Sequence, residues 1–203
     1  MNTNHLFYRA LAAVVTVTVH EFVKALISSS LGDPLPKRDK RVTLNPLKHI
    51  EPIGLIMMVA FNFGWGKPVE TASIYYKDKR NGTLLTYIIP SVVNLFLGII
   101  IFICMMMIVM PQPVSTFLFI TALYNICHAF FNIIPVYPLD GAKVLSVLVK
   151  DPNFVITMAN RQMFYQLALV FFIVLGIVGL IINPIVSSVF AFTGSIVAGF
   201  VHG

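Results

Sequence analysis

Five stretches of the chain approach or exceed the roughly 20 apolar residues that a helix needs to cross a bilayer. They cover residues 6–31, 83–110, 114–134, 164–182 and 184–201. A sixth stretch, Ile53–Trp65, is too short to span and is bounded by proline and glycine, which favours a re-entrant or interfacial segment. Hydrophobic residues make up 58% of the chain and charged residues 11%, which excludes an ordinary soluble domain. We predict an all-α polytopic membrane protein, a single transmembrane domain over 1–203, with about five full transmembrane helices, the short segment and a small cytoplasmic loop or hairpin.

Basic residues between the apolar stretches predict the orientation of the chain. If Ile53–Trp65 does not cross, twelve lysines and arginines at 37–80 and 143–161 lie on one side of the membrane. By the positive-inside rule we expect a multi-pass protein of the cell membrane with its N-terminus outside and its C-terminus in the cytoplasm. The formal charge of +6 also suggests anionic partners. Because the cations lie between apolar stretches, we expect anionic lipid headgroups, chiefly at 37–41, and no nucleic acid.

Two loop segments have the composition of short strands. Residues 41–46 contain Val42 and Thr43, and residues 67–74 contain Val69 and Thr71. Paired, they would offer a sheet edge to an extended polypeptide. A plain basic surface loop is the alternative.

The first apolar stretch contains His20-Glu21-x-x-Lys24, an ionisable cluster at membrane depth. Two histidines four residues apart on a helix, with glutamate after the first, form a zinc motif. Here Lys24 stands where the second histidine would be. Ionisable side chains within the membrane usually face the interior of the helix bundle and serve a function.

Asp140 follows a break in the third apolar stretch. The segment 135–138 carries two prolines, and irregular backbone at membrane depth is tolerated only where protein or a water-filled cavity satisfies it. A zinc peptidase needs three protein ligands, an open position for water and a carboxylate that accepts a proton. His20, Asp140 and Glu21 supply two ligands and the base, so one ligand is missing.

Other polar residues lie inside the second and third stretches. Asn94 follows Pro90 by four residues and needs a polar partner within the bundle. Asn125, His128 and Asn132 are spaced by three and four residues, so they share one face of a helix.

Together these motifs resemble the site-2 protease family of intramembrane zinc metalloproteases, in its compact bacterial form. The resemblance lies within about 5–145 and rests on the 20–24 motif, the segments 44–54 and 64–68, Pro90 with Asn94, and the pattern 132–141. It implies a site-2-protease-like core that hydrolyses transmembrane or membrane-associated protein substrates. It also implies His20 and Asp140 as zinc ligands, Glu21 as general base, and Asn132 near the substrate carbonyl or the metal-bound water.

Lys24 leaves three functions open. In an inactive pseudoprotease that binds or escorts membrane segments, its ammonium would pair with Glu21 and Asp140 and replace the charge of the metal, so no cofactor is needed. In an active zinc enzyme, His128 would substitute for the missing ligand. More distantly, the cluster would relay protons or ions in a small transporter, although no repeated half is visible.

Overall fold

The computed structural model of the chain describes residues 3–149 and 153–202. All regular secondary structure in these residues is helical, which confirms the predicted all-α class. Short 3-10 turns also occur at Pro46–Lys48 and Ser73–Tyr75. The α-helices are α1 (Thr3–Ser30), α2 (Leu35–Arg38), α3 (Pro52–Phe61), α4 (Lys79–Met107), α5 (Gln112–Phe131), α6 (Asp140–Leu148), α7 (Asn153–Asn160), α8 (Gln162–Val174) and α9 (Ile177–His202).

Four of these helices, α1, α4, α5 and α9, are long and apolar enough to cross a membrane. Two further apolar helices, α3 and α8, have 10 and 13 residues and are shorter than a bilayer span. The lengths and composition are those of a multi-pass membrane protein. The short α3 lies within the predicted re-entrant or interfacial segment Ile53–Trp65.

The predicted division between the last two spans is wrong. We expected a turn at Asn183-Pro184, but Pro184 lies inside α9 and the chain turns at Leu175-Gly176. Gly176 has φ +75°, the left-handed conformation in which glycine commonly ends a helix. Pro184 is tolerated within α9, as prolines are in membrane helices when neighbouring groups satisfy the freed backbone. The predicted fourth span therefore becomes the short helix α8.

The predicted hairpin of 41–46 with 67–74 is also wrong, because no strand occurs among the described residues. The backbone of 67–69 bonds to other partners. The Lys67 amide donates to the His49 carbonyl oxygen at 2.7 Å, and the Arg41 guanidinium donates to the Lys67 and Pro68 carbonyl oxygens. The Arg41 side chain thus satisfies the backbone carbonyl groups that a neighbouring strand would otherwise bond, and the segment is a loop.

The centre of the fold is formed by α1, α4 and α5, each of which packs against the other two. Small residues Ala12 and Ala13 on α1 are fully buried, and with Val17 they form an apolar cluster with Met58 of α3 and Tyr124 of α5. Helix α9 packs against α4 and α5 from outside this trio. The polar positions of α1 are therefore enclosed by protein, as ionisable residues at membrane depth require.

Candidate functional site

Four ionisable side chains from α1 and the start of α6 form one buried cluster, hereafter the charge cluster. His20, Glu21, Lys24 and Asp140 are 0%, 4%, 2% and 3% exposed, so water has almost no access to them. The Lys24 Nζ lies 3.0 Å from Glu21 Oε1 and 2.7 Å from Asp140 Oδ1. His20 Nε2 donates to the other oxygen of Asp140, Oδ2, at 2.9 Å. The Lys24 ammonium therefore bridges the carboxylates of Glu21 and Asp140, the two partners that we expected for it from the sequence.

The second oxygen of Glu21 is also occupied. Glu21 Oε2 accepts a hydrogen bond from the backbone amide of Val69 at 3.0 Å. The loop can lie this close because of Gly66, where an added Cβ would stand 2.9 Å from the His49 carbonyl oxygen and 3.1 Å from Glu21 Cγ. Both carboxylate oxygens of Glu21 are thus engaged by donors from the protein.

Asp140 is positioned by the break between α5 and α6. Helix α5 ends at Phe131, and the Gly141 amide then donates to the Asn132 carbonyl oxygen at 2.7 Å. A Cβ at Gly141 would overlap the Ile133 carbonyl oxygen, so glycine is required for this close return of the chain. The Asn132 side chain donates to the His128 carbonyl oxygen at 3.1 Å. The Asn132 side chain therefore caps the last turn of α5, and the Asn132 carbonyl oxygen holds Gly141, the residue after Asp140.

A second buried group, hereafter the amide cluster, lies one turn before His20 on α1. Asn94 of α4 donates to Asn125 Oδ1 of α5 at 2.9 Å, and Asn125 donates to Thr16 Oγ1 at 3.0 Å. Asn125 also donates to the Thr121 carbonyl oxygen at 2.8 Å. The polar partner that Asn94 needs is thus supplied by α5, and these neutral side chains join the three central helices.

His128 packs edge-on against the ring of His20, with the ring centroids 4.8 Å apart. The Nδ1 atoms of both histidines are buried and have no hydrogen-bond partner among the described residues. The structure therefore brings His128 beside the charge cluster, although it makes no ion pair with Asp140 there.

Sequence reasoning missed two contributors to the site. The Tyr87 ring of α4 lies 5.7 Å from the Lys24 Nζ, at cation–π distance, and its hydroxyl pairs with Thr71 at 2.7 Å. From the sequence alone, Tyr87 cannot be distinguished from an aromatic residue at the membrane interface. The Val69 amide leaves no signal in the sequence, because every residue except proline has that donor.

Two residues connect the surface loop to the charge cluster. Arg41 is buried and holds the carbonyl groups of Lys67 and Pro68, next to the Val69 amide that bonds Glu21. Burial lowers the pKa of Arg41 from its usual value, and the Glu21 carboxylate opposes that shift. His49 donates to the Thr43 carbonyl oxygen at 2.7 Å, and burial lowers its pKa. The loop is therefore anchored by one buried guanidinium and one neutral imidazole.

The fold and the charge cluster define a multi-pass membrane protein with an incomplete metalloprotease motif at its centre. The chain is 30% identical over 151 residues to a Bacillus subtilis (strain 168) protein named "Putative zinc metalloprotease YwhC". The match covers 70% of this chain and 69% of that relative. The chain belongs to the metalloprotease family of this relative. No protein-family model matches the chain, and no solved structure matches it significantly.

The residues at the cluster do not fit the zinc that the relative's name implies. A structural or catalytic zinc site takes at least three protein ligands. Within residues 3–149 and 153–202, no three histidine, cysteine, aspartate or glutamate side chains are arranged to hold a metal ion. His20 and Asp140 contact each other, and the ammonium of Lys24 has no lone pair to offer a metal. The four side chains pair with one another through two ion pairs and one hydrogen bond.

Proposed function

We propose that this chain is a site-2-protease-like pseudoprotease, which binds or escorts transmembrane or membrane-associated protein segments without hydrolysing them. The observation that carries the proposal is the Lys24 ammonium, 3.0 Å from Glu21 Oε1 and 2.7 Å from Asp140 Oδ1. In this proposal Lys24 supplies the positive charge that a metal ion supplies in an active member of the family. No cofactor is then required.

The engagement of Glu21 supports the absence of hydrolysis. A general base must reach the proton that it removes, directly or through one water. One oxygen of Glu21 accepts from Lys24 and the other from the Val69 amide. Activating a water would require breaking one of these buried hydrogen bonds. Loss of the Val69 amide bond leaves a buried donor unsatisfied, at about 1–3 kcal/mol. Loss of the Lys24 contact separates a buried ion pair, at about 3–5 kcal/mol.

An apolar groove beside the broken segment supports a binding role. It has a volume of about 660 Å³ and lies between the end of α5, α8 and α9. Ile133, Ile134 and Val136, which precede Asp140 in the chain, form one wall. In this proposal the groove holds one face of an apolar partner helix, through packing alone.

Metal content and proteolysis test the first half of the proposal. The wild-type chain, purified in detergent with zinc supplied and then washed, should hold far less than one zinc per chain and should leave a model transmembrane substrate uncleaved. Lys24→His completes the histidine pair and should gain zinc, with Lys24→Gln as the control that removes the ammonium without adding a ligand. Stoichiometric zinc in the wild type, with cleavage lost on chelation, would overturn the proposal.

Photo-crosslinking to a co-reconstituted model transmembrane peptide tests the binding half. Ile181 lines the groove and is exposed, whereas Phe192 is an exposed residue of the same helix outside it. A photo-reactive residue at 181 should capture the peptide several times more often than one at 192. Equal yields at the two positions would mean that the groove is ordinary lipid-facing surface.

The ring contact between His20 and His128 favours a second candidate, an active zinc metalloprotease in which His128 replaces the missing ligand. The two rings lie 4.8 Å apart between centroids, and both Nδ1 atoms are buried without a hydrogen-bond partner among the described residues. If this candidate holds, the wild type binds zinc and His128→Ala abolishes that binding. Zinc content that is unchanged in His128→Ala would eliminate it.

A further inference from the structure

The loop between α1 and α3 carries a cluster of cations at the membrane surface. Helix α1 ends at Ser30 and α3 begins at Pro52, and both helices are apolar. The chain between them, 31–51, therefore emerges from the membrane and returns towards it. By this topology, its exposed charged residues lie at the level of the lipid headgroups.

Within the basic run 37–41, two cations contact other protein groups and two do not form ion pairs among the described residues. Arg41 is 7% exposed and holds carbonyl oxygens of the 67–68 backbone. Arg38 pairs with Asp39 at 2.9 Å. Lys37 and Lys40, by contrast, are exposed and have no ion pair in the described part of the chain.

Lys37 and Lys40 meet a third lysine, Lys48, around one polar cavity. The cavity has a volume of about 360 Å³, and Val42, Thr43 and Asn45 complete its lining. Asn45 Oδ1 and Thr43 Oγ1 accept hydrogen bonds from backbone amides of the loop, so the hydrogens of their side chains remain for an added acceptor. The cavity is thus lined by three lysines and by neutral hydrogen-bond donors, which are the residue types of a phosphate site.

The backbone at Lys40 holds this arrangement at some cost. Lys40 has φ +54°, in the left-handed region, at the end of α2 where glycine is the usual residue. Sparsely populated backbone conformations are often retained at functional sites. Lysine here keeps a cation at the cavity, at a position where glycine would be easier to accommodate.

Exposed apolar side chains in the same segment as the cavity favour an amphiphilic ligand. Leu44 is 61% exposed and Leu47 is 80% exposed, and both lie in the same short segment as Thr43, Asn45 and Lys48. A soluble anion would make no contact with these leucines. An anionic lipid would place its phosphate among the lysines and its apolar part against the leucines.

We propose that this cavity binds the phosphodiester headgroup of an anionic phospholipid of the surrounding bilayer. Lys37, Lys40 and Lys48 neutralise the phosphate, and Thr43 and Asn45 donate hydrogen bonds to its oxygens. Leu44 and Leu47 lie in the interfacial layer beside the upper part of the acyl chains. The site shares no residue with the charge cluster and goes beyond the proposed pseudoprotease function, so lipid retention and zinc content test the two proposals separately.

Native mass spectrometry of the full chain, released from mixed micelles of phosphatidylglycerol and phosphatidylcholine, tests the proposal. The wild type should retain one phosphatidylglycerol preferentially. Each lysine changed to glutamine should weaken retention about fivefold, and the triple variant Lys37→Gln/Lys40→Gln/Lys48→Gln on the order of a hundredfold. Lys77, Lys79 and Arg80 are exposed cations elsewhere in the chain, and their triple glutamine variant is the control of equal charge, expected to retain the lipid.

Equal loss of the lipid in both triple variants would mean that only net charge matters, and would overturn the site. Inorganic phosphate separates the lipid from a soluble anion. Phosphate at millimolar concentration should displace the lipid poorly, and Leu44→Ser/Leu47→Ser should weaken lipid retention several-fold. If phosphate displaces the lipid fully and the leucine variant retains it normally, the cavity binds a soluble phosphate and the lipid assignment is wrong.

Discussion

Two buried polar clusters join α1 to the rest of the molecule, and they hold it by different means. In the amide cluster, Thr16, Asn94 and Asn125 exchange neutral hydrogen bonds of about 3 Å. In the charge cluster, one turn along α1, one ammonium lies between two carboxylates. Each amide can lose a partner and remain neutral. A charged side chain that loses its partner is left as an unbalanced ion at membrane depth, so the charge cluster is stable only as a set.

Removal of Lys24 should have the largest effect on stability. Lys24→Met keeps the length of the side chain but leaves Glu21 and Asp140 facing each other without a cation. We expect a loss of about 3–5 kcal/mol, measured by reversible denaturation of the detergent-solubilised protein.

Neutralising both carboxylates as well should recover much of that stability. In Lys24→Met/Glu21→Gln/Asp140→Asn no buried charge remains uncompensated, although the hydrogen bonds are weaker. If the triple variant is no more stable than Lys24→Met, packing rather than charge balance accounts for the loss, and the distinction between the two clusters fails.

Loss of the central amide should cost less. Asn125→Ala removes hydrogen bonds to Asn94 and Thr16 and leaves neutral groups unsatisfied, which costs about 1–3 kcal/mol. Denaturation under the same conditions provides the comparison, with Asn125→Asp as a second variant. If a new carboxylate at 125 is tolerated better than alanine, the amide cluster is not the dry, neutral site that we describe.

The sequence predicted part of the fold and part of the charge cluster. Apolar length predicted the four long helices and the short α3, although it also predicted a full span where the short α8 lies. The prolines at 135 and 138 predicted the break before Asp140. Helical spacing placed Lys24 next to Glu21. The turn at Gly176 was missed because a glycine in an apolar run resembles those that remain helical, and whether its φ is positive depends on packing. The Val69 contact was missed because a backbone amide is present at almost every position.

The surface loop should affect the charge cluster and leave the amide cluster alone. Arg41→Lys keeps a cation but lacks the rigid, planar pair of N–H donors with which the guanidinium holds two carbonyl groups. We expect a loss of about 1 kcal/mol, together with faster hydrogen exchange at the Val69 amide that bonds Glu21. The side-chain amides of Asn94 and Asn125 should exchange at their original rates. Faster exchange at both clusters would mean that the variant loosens the whole fold.

Acidification should weaken the same loop, with the smallest effect. Burial lowers the pKa of His49, so the folded state holds a neutral ring while the unfolded chain takes up a proton below about pH 6.5. The contribution of His49 to the free energy of unfolding is therefore complete above pH 6.5 and is lost as the pH falls towards the lower folded pKa. His49→Gln retains an amide that can donate to the Thr43 carbonyl oxygen but does not titrate. Between pH 7.5 and 5.5 the free energy of unfolding of the wild type should fall more than that of His49→Gln. Equal losses in the two proteins would show that the acid sensitivity arises from other groups, the charge cluster first among them.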